Sequence, residues 1–184
     1  MTKNKTIREL LIAGEHNLLP TLSIDCVILG FHENQLKVLL VKHRHREMWA
    51  LPGGFIGKDE PTEAAAYRVL KERTGLSEIF LQQFHVFGET ERTQKEFHIQ
   101  DLKKDGISVS EDLWILQRFV TIGYYALVEF SKVSPATGTL TEKCDWWDIH
   151  SLPIMILDHR KIFDKALATL RMQLNYQPVG VNLL

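Results

Sequence analysis

The sequence predicts an α/β fold in which a mixed β-sheet is packed between helices. Three observations predict it. Apolar runs rich in β-branched and aromatic residues, at 21–31, 36–42 and 117–130, read as sheet strands. A Gly53-Gly54 pair leads into a helix-forming stretch at 61–73. Residues 158–175 place Ile162, Phe163, Ala166, Leu167 and Leu170 at helical spacing, so one face of that helix is apolar.

Taken in order, residues 3–13 read as a short helix with Ile7, Leu10 and Leu11 on one side. The buried strand at 21–31 is followed by a turn at Glu33-Asn34-Gln35 and a return strand at 36–42, which makes a hairpin. A polar loop at 43–48 leads to the segment Trp49–Phe55. In the next helix Pro61 suits the first helical position, where its missing N–H costs nothing. Asp59 and Glu60 lie where the helix dipole favours negative charge, and Gly75 reads as the stop. Residues 79–87, 117–130 and 144–149 are further strands. The stretch 89–116 is charged and turn-rich with weak periodicity, and reads as an insertion within the domain. Either it is a binding lid, with Phe97, Trp114 and Arg118 reaching a ligand, or it is a surface excursion without function. A buried Trp114 would favour the lid.

At 184 residues the chain fits one domain with a substantial core, expected over 1–176. A hydrophobic content of 45% with a net charge of −1 gives no overall pull toward nucleic acid or membrane. No apolar stretch approaches a membrane span, and the N-terminus lacks a secretory apolar run. Two cysteines, Cys26 and Cys144, make no disulfide framework, so a reducing cytoplasmic compartment is expected.

The stretch 53–76, GGFIGKDEPTEAAAYRVLKERTGL, carries a spaced pattern. Gly54, Glu60, Arg68, Gly75 and Leu76 match five frame positions of the Nudix box, G-x5-E-x7-R-E-U-x-E-E-x-G-U, where U is a bulky aliphatic residue. The chain resembles the Nudix superfamily on this ground, and the resemblance implies a Nudix α/β/α sandwich. It also implies three glutamates at 69, 72 and 73, which in active members hold magnesium against a diphosphate. Those positions share one helix face. Here they are Val69, Glu72 and Arg73. A lone carboxylate flanked by Lys71 and Arg73, with Arg68 four residues back, is a poor magnesium site. Loss of metal polarisation and water activation removes several kcal/mol of transition-state stabilisation.

The resemblance narrows to the Nudix domain of bacterial Nudix-related transcriptional regulators. It rests on Ser23-Ile24-Asp25-Cys26-Val27-Ile28, the degenerate Arg68-Val69-Leu70-Lys71-Glu72, the strand Gly123-Tyr124-Tyr125-Ala126-Leu127-Val128, and Leu157-Asp158-His159. Residues 177–184 resemble the linker that leads there into a winged-helix DNA-binding domain, so a further domain beyond Leu184 is expected. The resemblance implies a homodimer that senses a small effector, a nucleotide-sugar such as ADP-ribose or a pentose such as arabinose. DNA is a partner only through the further domain.

The alternative is a magnesium-dependent hydrolase cleaving a nucleoside diphosphate linked to another moiety. It would use Glu72 and Glu60 as metal ligands and catalytic acids, with a third acid recruited from Glu89, Glu91 or Glu96. Magnesium is a cofactor only on this reading. Candidate ligand contacts are Arg44, Arg46, Trp49, Gly53, Gly54, Phe55 and Arg118. Each also has a plain reading. The run His43-Arg44-His45-Arg46 suits a solvated hairpin edge, and Trp49 suits packing beneath the Gly-Gly turn. Arg118 suits a phosphate fork or a structural salt bridge. Asp158-His159 resembles a catalytic pair, yet Asp158 is more simply a helix N-cap. Cys26 is expected to be inert core.

Overall fold

The sheet is organised by one long strand, β1 (Leu18–His32), whose apolar side chains alternate between two faces. The computed structural model describes residues 11–12, 14, 16–43, 46–92, 95–104, 106–110, 113–137 and 141–176. Most of the helix expected at 3–13, the linker at 177–184, and Arg44 and His45 therefore lie outside the described residues.

A turn at Glu33-Asn34 joins β1 to β2 (Gln35–His43) and pairs His32 with Gln35. Both turn residues have positive φ, 47° and 62°, as a tight two-residue hairpin turn requires. β3 (Gly53–Gly57) runs antiparallel to the first half of β1, with Gly54 opposite Ile24. β4 (Gln82–Phe87) is antiparallel to β5 (Val120–Val128), and β5 is parallel to β1, with Ile122 opposite Ile24 and Ala126 opposite Ile28. β6 (Thr141–Asp148) is antiparallel to β2. The order is β4-β5-β1-β2-β6, with β3 beside β1, so the sheet is mixed as expected.

Each face is covered by one helix. Ile24, Cys26, Ile28, Leu39, Tyr124 and Ala126 pack against Ala65, Ala66 and Leu70 of α1 (Thr62–Thr74). Val27, Leu29, Val38, Leu40 and Tyr125 pack against Ile162, Phe163, Ala166 and Leu170 of α3 (His159–Tyr176). The α/β/α sandwich follows from period two in the strands meeting period 3.6 in the helices.

Residues 89–116 hold more regular structure than their weak periodicity suggests. They contain a 3-10 turn (Thr90–Arg92), a helix α2 (Lys95–Lys104) and a second 3-10 turn (Trp114–Leu116). Leu102, Ile107 and Trp114 bury a third, smaller core with Leu11, against which Phe55 and Phe119 pack. The second 3-10 turn also explains why β5 begins at Val120, not near 117. Among the described residues no helix is long and apolar enough to cross a membrane.

Candidate functional site

The box is a strand, a short loop and a helix held by one arginine. Pro61 stands at the N-cap, one residue ahead of the expected first helical position, with φ −60° and ψ 144°. Gly75 ends α1 in the left-handed conformation, φ 73°, and its N–H donates to Lys71 O at 2.8 Å. Arg68 Nε and Nη2 donate to the two carboxylate oxygens of Glu60, each at 2.7 Å. Arg68 Nη2 also donates to Phe55 O at 2.8 Å, and Nη1 reaches Glu72 Oε2 at 3.2 Å. Glu60 accepts a further bond from the Gly57 N–H at 3.0 Å. The Arg68 hydrogen bonds, helped by that of Gly57, hold the Glu60 carboxyl below the usual carboxylate range against the opposing effect of burial. Glu60 therefore closes the loop between β3 and α1.

The three positions that carry acids in an active box are occupied differently. Val69 is buried and packs its methyls on the Gly54 Cα. Arg73 lies back over the strand, its Nε donating to Gly53 O at 2.8 Å. Burial, with the neighbouring Arg68 charge, weakens the hold of Arg73 on its proton, while Glu72 opposes both. Glu72 is exposed and engaged by Arg68. Magnesium asks for hard oxygen ligands in octahedral array. Here one carboxylate is bonded to arginine, one position is aliphatic and one is cationic, so the residues present do not fit that ion. Among the described residues no three of His, Cys, Asp or Glu converge to hold a metal. Glu89, Glu91 and Glu96 are exposed and complete no such group with Glu60 and Glu72.

Behind β3 lies a buried polar cluster that sequence reasoning did not assemble. The Asp25 carboxylate sits against the Gly53 Cα, so closely that a side chain there would collide with it. His159 Nδ1 accepts the Leu51 N–H at 2.9 Å, which leaves Nε2 to carry the proton. That nitrogen points toward Asp25 Oδ1 at 3.9 Å. Burial raises the Asp25 pKa, partly offset by the neighbouring His159 and Arg92 and by a Thr121 hydrogen bond, with Asp158 adding to the rise. Asp158 stands at the N-cap of α3 as expected, its carbonyl accepting the Ile162 N–H at 3.1 Å, while its side chain grips Arg92 with both oxygens, Nη2 lying 3.0 Å from Oδ1. Arg92 also donates to Phe87 O at 3.1 Å. Asp158 and His159 thus tie the start of α3 to the sheet and to the 89–116 segment. The available signal was Asp25, a lone carboxylate in an apolar strand.

Gly53, Gly54 and Phe55 lie together on β3, and the other described candidate contacts are engaged within the fold. Trp49 is 9% exposed and meets Trp147 edge-on, with centroids 5.1 Å apart, so its ring is core. Arg46 pairs with Asp101 of α2. Arg118 donates to Gly88 O where β4 ends. Phe55 packs edge-on to Trp114 at 4.8 Å and against Phe119 at 5.3 Å. Trp114 is buried and donates Nε1–H to Leu11 O at 2.9 Å, so it secures the third core. Cys26 is fully buried, and burial pushes its thiol up, as expected of inert core.

The NUDIX domain model matches residues 19–169. Over 172 residues the chain is 25% identical to the ADPR responsive transcriptional repressor NtrR of Acinetobacter baylyi, covering 90% of the chain and 60% of the repressor. The chain thus spans about 60% of that relative's length. It is also 26% identical, over 78% of the chain and 70% of the relative, to an ADP-ribose pyrophosphatase of Methanocaldococcus jannaschii. The fold matches the NUDIX domain of Shewanella oneidensis NrtR in its complex with ADP ribose, with a TM-score of 0.61 and 24% identity, over 92% of the chain and 99% of that structure. The box geometry, the α/β/α sandwich and the match across most of its length place this chain in the NUDIX domain family.

Proposed function

We propose that this chain is a ligand-sensing NUDIX domain of a transcriptional regulator, binding a nucleotide-sugar of the ADP-ribose class without cleaving it. One observation carries the reading. The box keeps every residue that shapes its loop and helix, while its acid positions hold Val69, an arginine-bound Glu72 and Arg73. Shape with a depleted, arginine-bound set of acids suits retention of a diphosphate better than its hydrolysis. The repressor relative supports a regulatory role, and the pyrophosphatase relative supports the same ligand class. Control of DNA would pass through a separate domain, and a homodimer would couple two sensing sites.

Incubation of the protein with ADP-ribose and magnesium or manganese tests this reading, with product followed by chromatography. No turnover, together with a rise in Tm on adding ADP-ribose, is expected. Robust turnover that Glu72→Gln abolishes would establish the hydrolase instead.

A further inference from the structure

We infer that α1 receives the pyrophosphate of its ligand directly on the Arg73 guanidinium, with no bridging metal ion. The inference deepens the sensing reading and rests on it.

The geometry separates the two arginines of the helix. Arg68 is spent: Glu60, Glu72 and the Phe55 carbonyl take up its Nε, Nη1 and Nη2. Arg73 is not. Its Nε is fixed on Gly53 O at 2.8 Å, which orients the guanidinium plane. Among the described residues no group accepts from Arg73 Nη1 or Nη2, and neither is a buried orphan, so both reach solvent. Two terminal N–H edges of a fixed guanidinium match two oxygens of one phosphate.

The charge of the face changes in the same sense. Three acids at these positions would carry −3, and a diphosphate could approach only over metal cations. Val69, Glu72 and Arg73 together carry no net charge. The remaining negative charge, Glu72, is paired with Arg68. The barrier that makes a cation necessary has been removed, and a guanidinium stands in its place. Arg73 is also partly withdrawn from water, and the opposite charge near it among the described residues is the exposed Glu72, which Arg68 engages. An incoming phosphate would give this half-buried cation a counter-ion of its own.

The test is calorimetric binding of ADP-ribose, with inorganic pyrophosphate and AMP as comparisons, in EDTA and in magnesium. Binding of ADP-ribose and pyrophosphate in EDTA at least as tight as in magnesium is expected, with AMP weaker. Arg73→Gln should weaken ADP-ribose binding about 10- to 100-fold, the value of a charge-assisted bidentate contact. Arg73→Lys should fall between, because a lysine cannot form the fork. Lys71→Ala removes an exposed charge from the same helix and should change affinity little. Binding that EDTA abolishes and magnesium restores overturns the inference but leaves the sensing reading standing. Unaltered affinity in Arg73→Gln does the same. No binding of ADP-ribose under any condition overturns both. The metal arm uses the unaltered protein, so it stands even if a variant fails to fold.

Discussion

The Cγ2 methyl of Val69 lies 2.9 Å from where a Cβ on Gly54 would stand. The two residues are a matched pair. The missing side chain at 54 allows α1 to settle on β3, and the branched side chain at 69 fills the space. Gly54→Ala should therefore destabilise the fold by about 1–3 kcal/mol, because a valine has few rotamers with which to retreat. Val69→Ala alone should also cost stability through the cavity it leaves. The double variant should lose less than the sum of the two, since the added methyl occupies the vacated volume. Urea denaturation of all four proteins measures this coupling, and strict additivity would refute it.

Glu60 predicts a pH response. Its folded pKa lies below its ordinary value of 4.5, chiefly through the Arg68 hydrogen bonds. A depressed carboxyl contributes stability that is fully present above 4.5 and is lost as pH falls through the lower folded value. Glu60→Gln keeps the shape and removes the charge. It should lower stability by about 1 kcal/mol at pH 7, a modest figure because Arg68 is partly solvated. It should also flatten the decline of stability below pH 4.5. Tm measured from pH 3 to pH 7 in both proteins checks the slope. A parallel pair of curves would contradict it.

Trp114 predicts where the third core yields. Its ring fills the space beside Gly14 and meets Phe55, and its Nε1–H reaches Leu11 O. Trp114→Phe should cost about 1 kcal/mol for the lost hydrogen bond, with ring packing retained. Trp114→Ala should cost about 3–5 kcal/mol. Hydrogen exchange should then quicken first in 95–116 and around Leu11, ahead of β1 and β5, because this core is the smaller one. Uniform acceleration across the sheet would show that the segment is not a separable unit.

What could be read in the chain divides along contact distance. The alternation of Ile24, Cys26 and Ile28 against Val27 and Leu29 is local, and so were the sheet and both covering helices. The box frame is local too, and it placed Glu60 and Arg68 eight residues apart, but the sequence paired Arg68 with Glu72 and the clasp on Glu60 emerged only in the fold. The 89–116 segment escaped because its order comes from partners far along the chain: Trp114 bonds Leu11 across 103 residues. Its helix, Lys95–Lys104, is charged and shows little amphipathic pattern of its own. The cap position of Asp158 was legible locally, but the grip of its side chain on Arg92, 66 residues away, was not. Arg73 was visible as a lost acid, but its seat on the Gly53 carbonyl depended on how β3 lies against α1.

Asp25 offers the converse pH response to Glu60. Burial places its folded pKa above the ordinary 3.8, despite the opposing pull of His159, Arg92 and Thr121 and with help from Asp158. Between 3.8 and that raised value the folded state holds a proton that the unfolded state has released. Stability is lost as pH rises from 3.8 through the folded value, and the loss persists above it. Asp25→Asn is close in shape and cannot ionise. At pH 7 it should be at least as stable as the parent protein, with the advantage shrinking as pH approaches 4. Asp25→Ala should not share this gain, since it leaves a cavity beside Gly53 and removes one of the partners of the Thr121 hydroxyl. Chemical denaturation of the three proteins at several pH values separates charge from packing. An asparagine variant that is less stable at pH 7 than at pH 4, relative to the parent, would mean that the ionised Asp25 is held favourably, with His159 the partner to examine next.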